Sequence, residues 1–153
     1  MSTPEERIRE LGLELPEAVP PVASYVPTAR TGSLVYTSGQ VPMVKGELAV
    51  TGKVGAEVDA EEAARQARIC ALNAIAALKA EVGELSRIAR IVKVVGFVAS
   101  APDFHGQPQV INGASDLLVE VFGDAGRHAR SAVGVAVLPL NAPVEVELIA
   151  EIA

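Results

Sequence analysis

The stretch DAEEAARQARICALNAIAALKAEVG, residues 59–83, decides how the rest of the chain can be arranged. Asp59 can cap a helix, two glutamates follow in the first turn where they complement the helix dipole, and Gly83 can end it. Apolar residues recur at helical spacing: Ala64, Ala67, Ala71, Ala74, Ile75, Leu78 and Val82. Because this face is mostly alanine, the pattern predicts a long helix that lies close against a sheet.

The segments on either side of this helix have the character of strands, with one further long helix. The predicted elements are a short helix over 4–15, strands over Val22–Pro27 and Ser33–Ser38 joined by a turn at 29–32, a hairpin or loop over 42–55, a strand over Ile88–Ser100, a helix over Pro108–Gly123, and strands over Ser131–Val137 and Val144–Ile152. Strands that outnumber the helices and adjoin one another indicate an α+β fold, with one sheet and two helices packed on one face. The strands lack a clean polar alternation, so we expect other subunits to cover the second face.

Length and composition fit a single domain over residues 1–153, with half of its residues hydrophobic. The net charge of −6 and an aromatic share of 3% disfavour nucleic acid as a partner. The sole cysteine, Cys70, cannot form an internal disulfide, and its place in mid-helix predicts a small buried apolar side chain. The N-terminal residues lack the pattern of a secretory signal, and no apolar run approaches the roughly 20 residues of a membrane span. We therefore expect a cytoplasmic protein without a membrane partner.

Few residues fit an established catalytic pattern. The sequence has no phosphate-binding glycine loop, no zinc-protease motif and no serine-hydrolase motif. A metal site at His105 and His128 would need carboxylates brought to them by the fold, and isolated surface histidines are commoner than ligands. A ribonuclease built on the two histidines would lack a supporting lysine or aromatic cluster. We therefore expect no metal site.

Two strand faces carry the most informative side chains. If residues 130–136 form a strand, Arg130 shares its face with Ala132, Gly134 and Ala136, which leaves room for a compact ligand whose carboxylate the arginine can grip. Alternatively, a helix or a neighbouring subunit fills that room and Arg130 makes a structural ion pair. The last strand places three glutamates, Glu145, Glu147 and Glu151, on one face. They form either a solvated surface or one in which a single buried carboxylate acts as an acid or base.

Several motifs together resemble one family. They are YTSGQVP at 36–42, RSAVGV at 130–135, Leu138-Pro139 and VEVE at 144–147. In these the chain is similar to the RidA (YjgF-like) proteins, also called endoribonuclease L-PSP, and looks like a longer, divergent subgroup with residues 1–20 as an N-terminal extension. The resemblance implies a chorismate-mutase-like fold with one mixed sheet, and a homotrimer with ligand clefts between its subunits. It also implies hydrolysis of enamine and imine intermediates, such as 2-aminoacrylate and 2-iminopropionate, to 2-keto acids and ammonia without a cofactor.

The resemblance also implies roles for individual residues. Arg130 matches the arginine that binds the substrate carboxylate, and Glu145 matches the glutamate near the attacking water. Ser38 and Gly39 match residues that line the cleft, Tyr25 an aromatic residue at its mouth, and Asn112 an asparagine at the start of the second helix. Many members have a cysteine where this chain has Ala132.

The distance between Arg130 and Glu145 depends on how the last two strands are paired. If the strand ending at Val137 pairs directly with the strand beginning at Val144, Arg130 and Glu145 lie roughly 20 Å apart along that hairpin. They would then serve one cleft only through a different strand order or across a subunit boundary.

The function predicted first is therefore an imine or enamine deaminase. A trimer that binds a small carboxylate without turnover, or that regulates through it, is the alternative. A ribonuclease comes last because of the acidic charge.

Overall fold

The computed structural model describes residues 2–18 and 23–153. In chain order its helices and strands are α1 (Pro4–Glu10), β1 (Thr28–Thr31), β2 (Leu34–Thr37), β3 (Met43–Val44), β4 (Glu47–Leu48), α2 (Ala60–Val82), β5 (Ile88–Ala99), α3 (Gln107–Phe122), β6 (Ala129–Val135) and β7 (Val144–Ile152). Within the described residues, five strands form one sheet in the order β1-β2-β7-β5-β6, and β3 and β4 form a small hairpin. The β5–β6 pair is parallel and the other pairs of the main sheet are antiparallel. The α+β fold with one mixed sheet is thus confirmed.

Helix α2 begins and ends where its capping residues predict. The Asp59 carboxylate accepts a hydrogen bond from the Glu62 backbone N–H at 2.8 Å. Gly83 takes a φ of 88°, and its N–H donates to the Lys79 carbonyl at 2.8 Å. The apolar face of the helix is buried, including Cys70. A contiguous alanine-rich face therefore lies on the sheet, as the sequence predicts.

Helices α2 and α3 cover one face of the sheet and cross each other closely. A Cβ added to Gly113 of α3 would lie 2.8 Å from the backbone carbonyl carbon of Ala64 in α2, so only glycine fits there. The buried side chains of β7 form the sheet's contribution to this core: Val144, Val146, Leu148, Ala150 and Ile152. The alternate residues of β7, among them Glu145, therefore lie on the other face of the sheet.

The N-terminal helix α1 is tied to this core. Ile8 is buried in it, and the Glu5 carboxylate accepts hydrogen bonds from the Lys79 ammonium at 2.7 Å and from the Leu85 N–H at 3.0 Å. Helix α1 ends at Glu10 rather than near residue 15, because Gly12 turns the chain with a φ of 76°. None of the described helices is both long enough and apolar enough to cross a membrane.

The first hairpin lies further along the chain than its pattern suggests. Residues 23–27 are not part of a strand, β1 begins at Thr28, and the turn falls at Gly32 and Ser33 between the paired residues Thr31 and Leu34. Gly32 has a φ of 57°, which supplies the left-handed backbone that a tight turn needs. The predicted strand at 22–27 is therefore wrong for residues 23–27, and Val22 lies outside the described residues.

Candidate active site

Arg130 lies on the edge strand β6 and reaches across to α3. Its Nη1 donates to the Asn112 side-chain oxygen at 2.8 Å and to Ser115 Oγ at 3.3 Å, and its Nη2 donates to the Pro108 carbonyl at 3.3 Å. All three acceptors are neutral. Among the described residues no carboxylate forms an ion pair with Arg130, so its positive charge is fixed in place and not neutralised.

The room that small residues leave beside Arg130 is filled from within the chain. A Cβ on Gly134 would lie 2.9 Å from Gln107 Nε2, and a Cβ on Gly96, in the neighbouring strand, would lie 2.8 Å from Ile111 Cγ2. Helix α3 thus occupies the face that the sequence offered to a ligand. The alternative, in which a helix fills that room, is correct; the structural ion pair that accompanied it is not formed. Any ligand must approach the guanidinium from outside this contact.

Glu145 lies on the opposite face of the sheet, in the central strand β7. A Cβ on Gly39 would lie 2.8 Å from the carboxyl carbon of Glu145, so the side chain rests against the glycine backbone. Two backbone hydrogen bonds between Gln40 and Val146, of 2.8 and 3.0 Å, hold these two segments together. Partial burial, and then the charge of nearby Glu147, raise the pKa of the Glu145 carboxyl.

Ser38 fixes the loop that carries Tyr25. Its backbone N–H donates to the Pro27 carbonyl at 2.8 Å, and its hydroxyl donates to the Val26 carbonyl at 2.6 Å. Tyr25 lies one residue before this anchor, with 55% of its surface exposed. Ser38, Gly39 and Glu145, which we call the glutamate cluster, are therefore brought together in one chain with Tyr25 on an adjoining exposed loop.

Two residues that the sequence did not assign to the site contact Arg130 directly or through one partner. Ser115 Oγ lies 2.8 Å from His128 Nε2, and His128 Nδ1 lies 2.6 Å from the Gly126 carbonyl oxygen. We call Arg130, Asn112, Ser115 and His128 the arginine cluster. Two spacings in the sequence indicate the arginine cluster. Asn112 and Ser115 are three residues apart on a helix and so share a helix face, and His128 and Arg130 are two residues apart at the start of a strand and so share a strand face.

The other candidates from the sequence lie outside both clusters. His105 is exposed in the loop before α3, and no histidine pair forms, since His128 is engaged with Ser115. Cys70 is fully buried, and burial followed by the charge of Glu145 raises the pKa of its thiol well above the usual value. Its expected role as a small buried side chain is confirmed. Among the described residues no group of three or more His, Cys, Asp or Glu is arranged to hold a metal ion.

Within one chain the two clusters are separated by the sheet. Strand β5 lies between β6 and β7, so the last two strands do not form a direct hairpin and the strand order is a different one. In the sheet Arg130 is paired with Val94 of β5, and Glu145 is paired with Phe97 of β5. From the usual spacings between strands and along a strand, the Cα atoms of Arg130 and Glu145 are about 14 Å apart. Val94 and Phe97 are three residues apart and therefore face opposite ways. A single chain does not bring Arg130 and Glu145 into one cleft.

Comparison with known proteins identifies the family to which the chain is related. The family model described as "YjgF/chorismate mutase-like, putative endoribonuclease" matches residues 5–152. The chain belongs to this family. The resemblance drawn from the sequence motifs is therefore confirmed.

Individual YjgF-like relatives share both sequence and fold with the chain. TCP17 of Trypanosoma cruzi is 43% identical over 146 residues, which cover 95% of this chain and 91% of that protein. The crystal structure of Atu1372 from Agrobacterium tumefaciens, described as having unknown function, is 52% identical with a TM-score of 0.93, covering 98% of this chain and 92% of that chain. A more distant crystal structure, E. coli TdcF with bound serine, is 26% identical with a TM-score of 0.64, covering 90% and 94%.

Proposed function

We propose that the protein is a deaminase that hydrolyses small 2-imino acids, of the 2-aminoacrylate and 2-iminopropionate type, to 2-keto acids and ammonia. The observation that carries the proposal is Arg130: a cation held by neutral acceptors, with no carboxylate partner among the described residues. Such a guanidinium can bind a substrate carboxylate with two parallel hydrogen bonds. The relative TdcF, seen with bound serine, supports this ligand class, because serine also carries a carboxylate next to a carbon that bears nitrogen.

Glu145 supplies the second part of the proposed reaction. A carboxyl group whose pKa is raised is a stronger base than an ordinary glutamate, and so accepts a proton from water more readily near neutral pH. In the proposed step, the water oxygen adds to the C=N carbon while Glu145 takes the water proton. That proton passes to nitrogen, which gives an amino group and a hydroxyl group on the same carbon. The hydroxyl proton then also passes to nitrogen as the C–N bond breaks, and ammonia leaves. The added oxygen becomes the keto oxygen, so the step consumes one water and needs no cofactor.

A homotrimer, typical of the family, would join the two clusters. Because Arg130 lies on an edge strand and Glu145 on the opposite sheet face, one chain supplies only half of the proposed site. The segment around β6 exposes apolar side chains, with Val133 at 44% and Val137 at 68%, as expected of a surface that another copy covers. We therefore propose that Arg130 of one subunit and Glu145 of the next border each cleft. We also propose a cytoplasmic location, which fits the free thiol of Cys70.

The direct test is keto-acid release from 2-iminopropionate generated in situ. We expect the wild type to accelerate release over the spontaneous rate, and Arg130→Ala and Glu145→Gln each to abolish the acceleration. Arg127→Ala is the matched control, since Arg127 is a neighbouring arginine whose side chain is 77% exposed. If the wild type binds pyruvate without accelerating release, the protein is a carboxylate-binding trimer and the deaminase proposal is wrong. RNA cleavage that Arg130→Ala removes would favour the ribonuclease.

Mixing the two inactive variants tests the shared cleft. Co-expressed Arg130→Ala and Glu145→Gln chains give three mixed trimers in four, and each mixed trimer has one intact cleft of three. Random assembly should therefore restore about a quarter of wild-type activity. No recovery would mean that both residues act from the same chain. Sedimentation should give three times the 15.8 kDa of one chain.

A further inference from the structure

We propose that Ser115 and His128 are positioning residues that hold the Arg130 guanidinium with one defined edge, Nε and Nη2, turned toward the ligand. The inference deepens the proposed function and rests on it for the identity of the ligand. It is carried by a continuous series of hydrogen bonds: Gly126 carbonyl to His128 Nδ1 at 2.6 Å, His128 Nε2 to Ser115 Oγ at 2.8 Å, and Ser115 Oγ to Arg130 Nη1 at 3.3 Å.

With the His128 imidazole neutral, the direction of every hydrogen bond in this series follows from its two ends. A carbonyl oxygen only accepts, so His128 Nδ1 must carry the proton that points at Gly126. In the neutral imidazole Nε2 is then an acceptor, and the Ser115 hydroxyl must donate to it. Because the hydroxyl proton of Ser115 is used in the hydrogen bond to His128, Oγ can only accept a hydrogen bond from Arg130. The opposite tautomer would place no proton between His128 Nδ1 and the Gly126 carbonyl.

Both ends of the series are anchored on α3. Pro108, Asn112 and Ser115 recur at spacings of four and three residues, so their acceptors lie on one helix face toward Arg130. Gly126 lies against the same helix, since a Cβ there would be 2.7 Å from the Leu118 carbonyl carbon. The guanidinium is therefore held by a single rigid element rather than by a loop.

These contacts divide the five N–H donors of the guanidinium into two sets. Nη1 donates to Asn112 and Ser115, and Nη2 donates to Pro108. Among the described residues no acceptor engages Nε–H or the second Nη2 proton. These two donors form a side-on pair that matches the two oxygens of a carboxylate. Without Ser115, Nη1 keeps only one acceptor, and the guanidinium can rotate out of the plane in which that pair faces the ligand.

The test uses readouts that do not depend on turnover. Long-range ¹⁵N–¹H spectra, assigned with His105→Gln, should show His128 as the Nδ1–H tautomer. Relaxation of Arg130 Nε–H should show increased side-chain mobility in Ser115→Ala and wild-type mobility in Ser115→Thr, which keeps the hydroxyl. The exposed neighbour Asp116 supplies the control variant Asp116→Ala on the same helix. Circular dichroism checks that every variant folds.

Ligand binding and kinetics complete the design. Ser115→Ala should raise the Kd for pyruvate and the KM for the imine by roughly tenfold, the usual scale for one charge-assisted hydrogen bond, and should lower kcat by less. Ser115→Thr should restore the wild-type Kd and KM. An Nε2–H tautomer in the wild type, or Arg130 mobility equal in Ser115→Ala and wild type, overturns the inference. If the wild type neither binds pyruvate nor hydrolyses the imine, the proposed function fails, and the tautomer and mobility measurements alone decide whether Ser115 and His128 position Arg130.

Discussion

Substituting Gly39 by alanine should displace the Glu145 carboxylate while leaving the backbone unchanged. Gly39 does not take a left-handed φ, so alanine fits its backbone conformation. The new methyl carbon would lie 2.8 Å from the Glu145 carboxyl carbon. Non-bonded carbons rest at about 3.5–4.0 Å, so the carboxylate must move by about 0.7 Å (3.5 − 2.8) to 1.2 Å (4.0 − 2.8). A misplacement of about 1 Å can lower a rate about 100-fold.

We therefore expect Gly39→Ala to lower kcat for 2-iminopropionate about 100-fold, with pyruvate binding to Arg130 little changed. The assay is keto-acid release, measured for Gly39→Ala, Glu145→Ala and the double variant. Once Glu145 is truncated, the methyl group has no carboxylate to displace. In that background Gly39→Ala should leave the free energy of urea unfolding unchanged, whereas with Glu145 present it should lower that free energy; a double-mutant cycle on stability detects the difference. A kcat for Gly39→Ala within twofold of wild type would refute the reasoning that Glu145 acts from its place beside Gly39.

Three further predictions concern stability, each measured by urea unfolding. Because the pKa of Glu145 is raised in the folded state, its charge lowers stability above the ordinary value of 4.5. Glu145→Gln should therefore be more stable than wild type at pH 7, with the gain lost below that value; an equal gain at pH 3 would contradict this. Burial alone would raise the pKa of Glu5, but hydrogen bonds from Lys79 and the Leu85 N–H outweigh it and lower the pKa. Glu5→Gln should cost about 1 kcal/mol at pH 7, a cost that fades as pH falls through the folded-state pKa. Gly113→Ala should lower the free energy of unfolding by about 1–3 kcal/mol, because the new methyl group meets the Ala64 backbone, which cannot move aside. Asp116→Ala, at an exposed position of the same helix, should lower it little.

Local signals in the sequence were sufficient for the two long helices and for the family. Helix α2 is delimited by Asp59 and Gly83, whose hydrogen bonds lie within four residues of them, so its bounds can be read without knowing the fold. The long strand and the second helix were also predicted within one residue at each end, the strand from its run of Val and Ile. The α+β class follows from the order of these elements.

Contacts between distant parts of the chain were not predictable in this way. The last two strands adjoin in sequence, yet β5 pairs with both and separates them, since pairing depends on packing across the whole sheet. Ile111 fills the space over Gly96 for a similar reason: the crossing of α3 is set by its contact with α2. The pairing of Ser115 with His128 follows from that crossing, and neither residue type alone indicates it.

The turn of α3 from Asn112 to Ser115 both binds Arg130 and packs against α2. Both residues accept hydrogen bonds from Arg130, while Gly113 between them makes the close backbone approach to Ala64. The packing of α3 against α2 thus fixes where Arg130 is held, and a change in the position of Arg130 requires that these two helices repack. The Glu145 side rests on the segment after β2, which α2 holds elsewhere: the Asn73 side chain donates to the Val41 and Met43 carbonyls at 3.1 and 3.0 Å. Directed evolution toward other substrates should therefore accumulate changes around the exposed Tyr25, and leave Gly39 and the surroundings of Arg130 as they are.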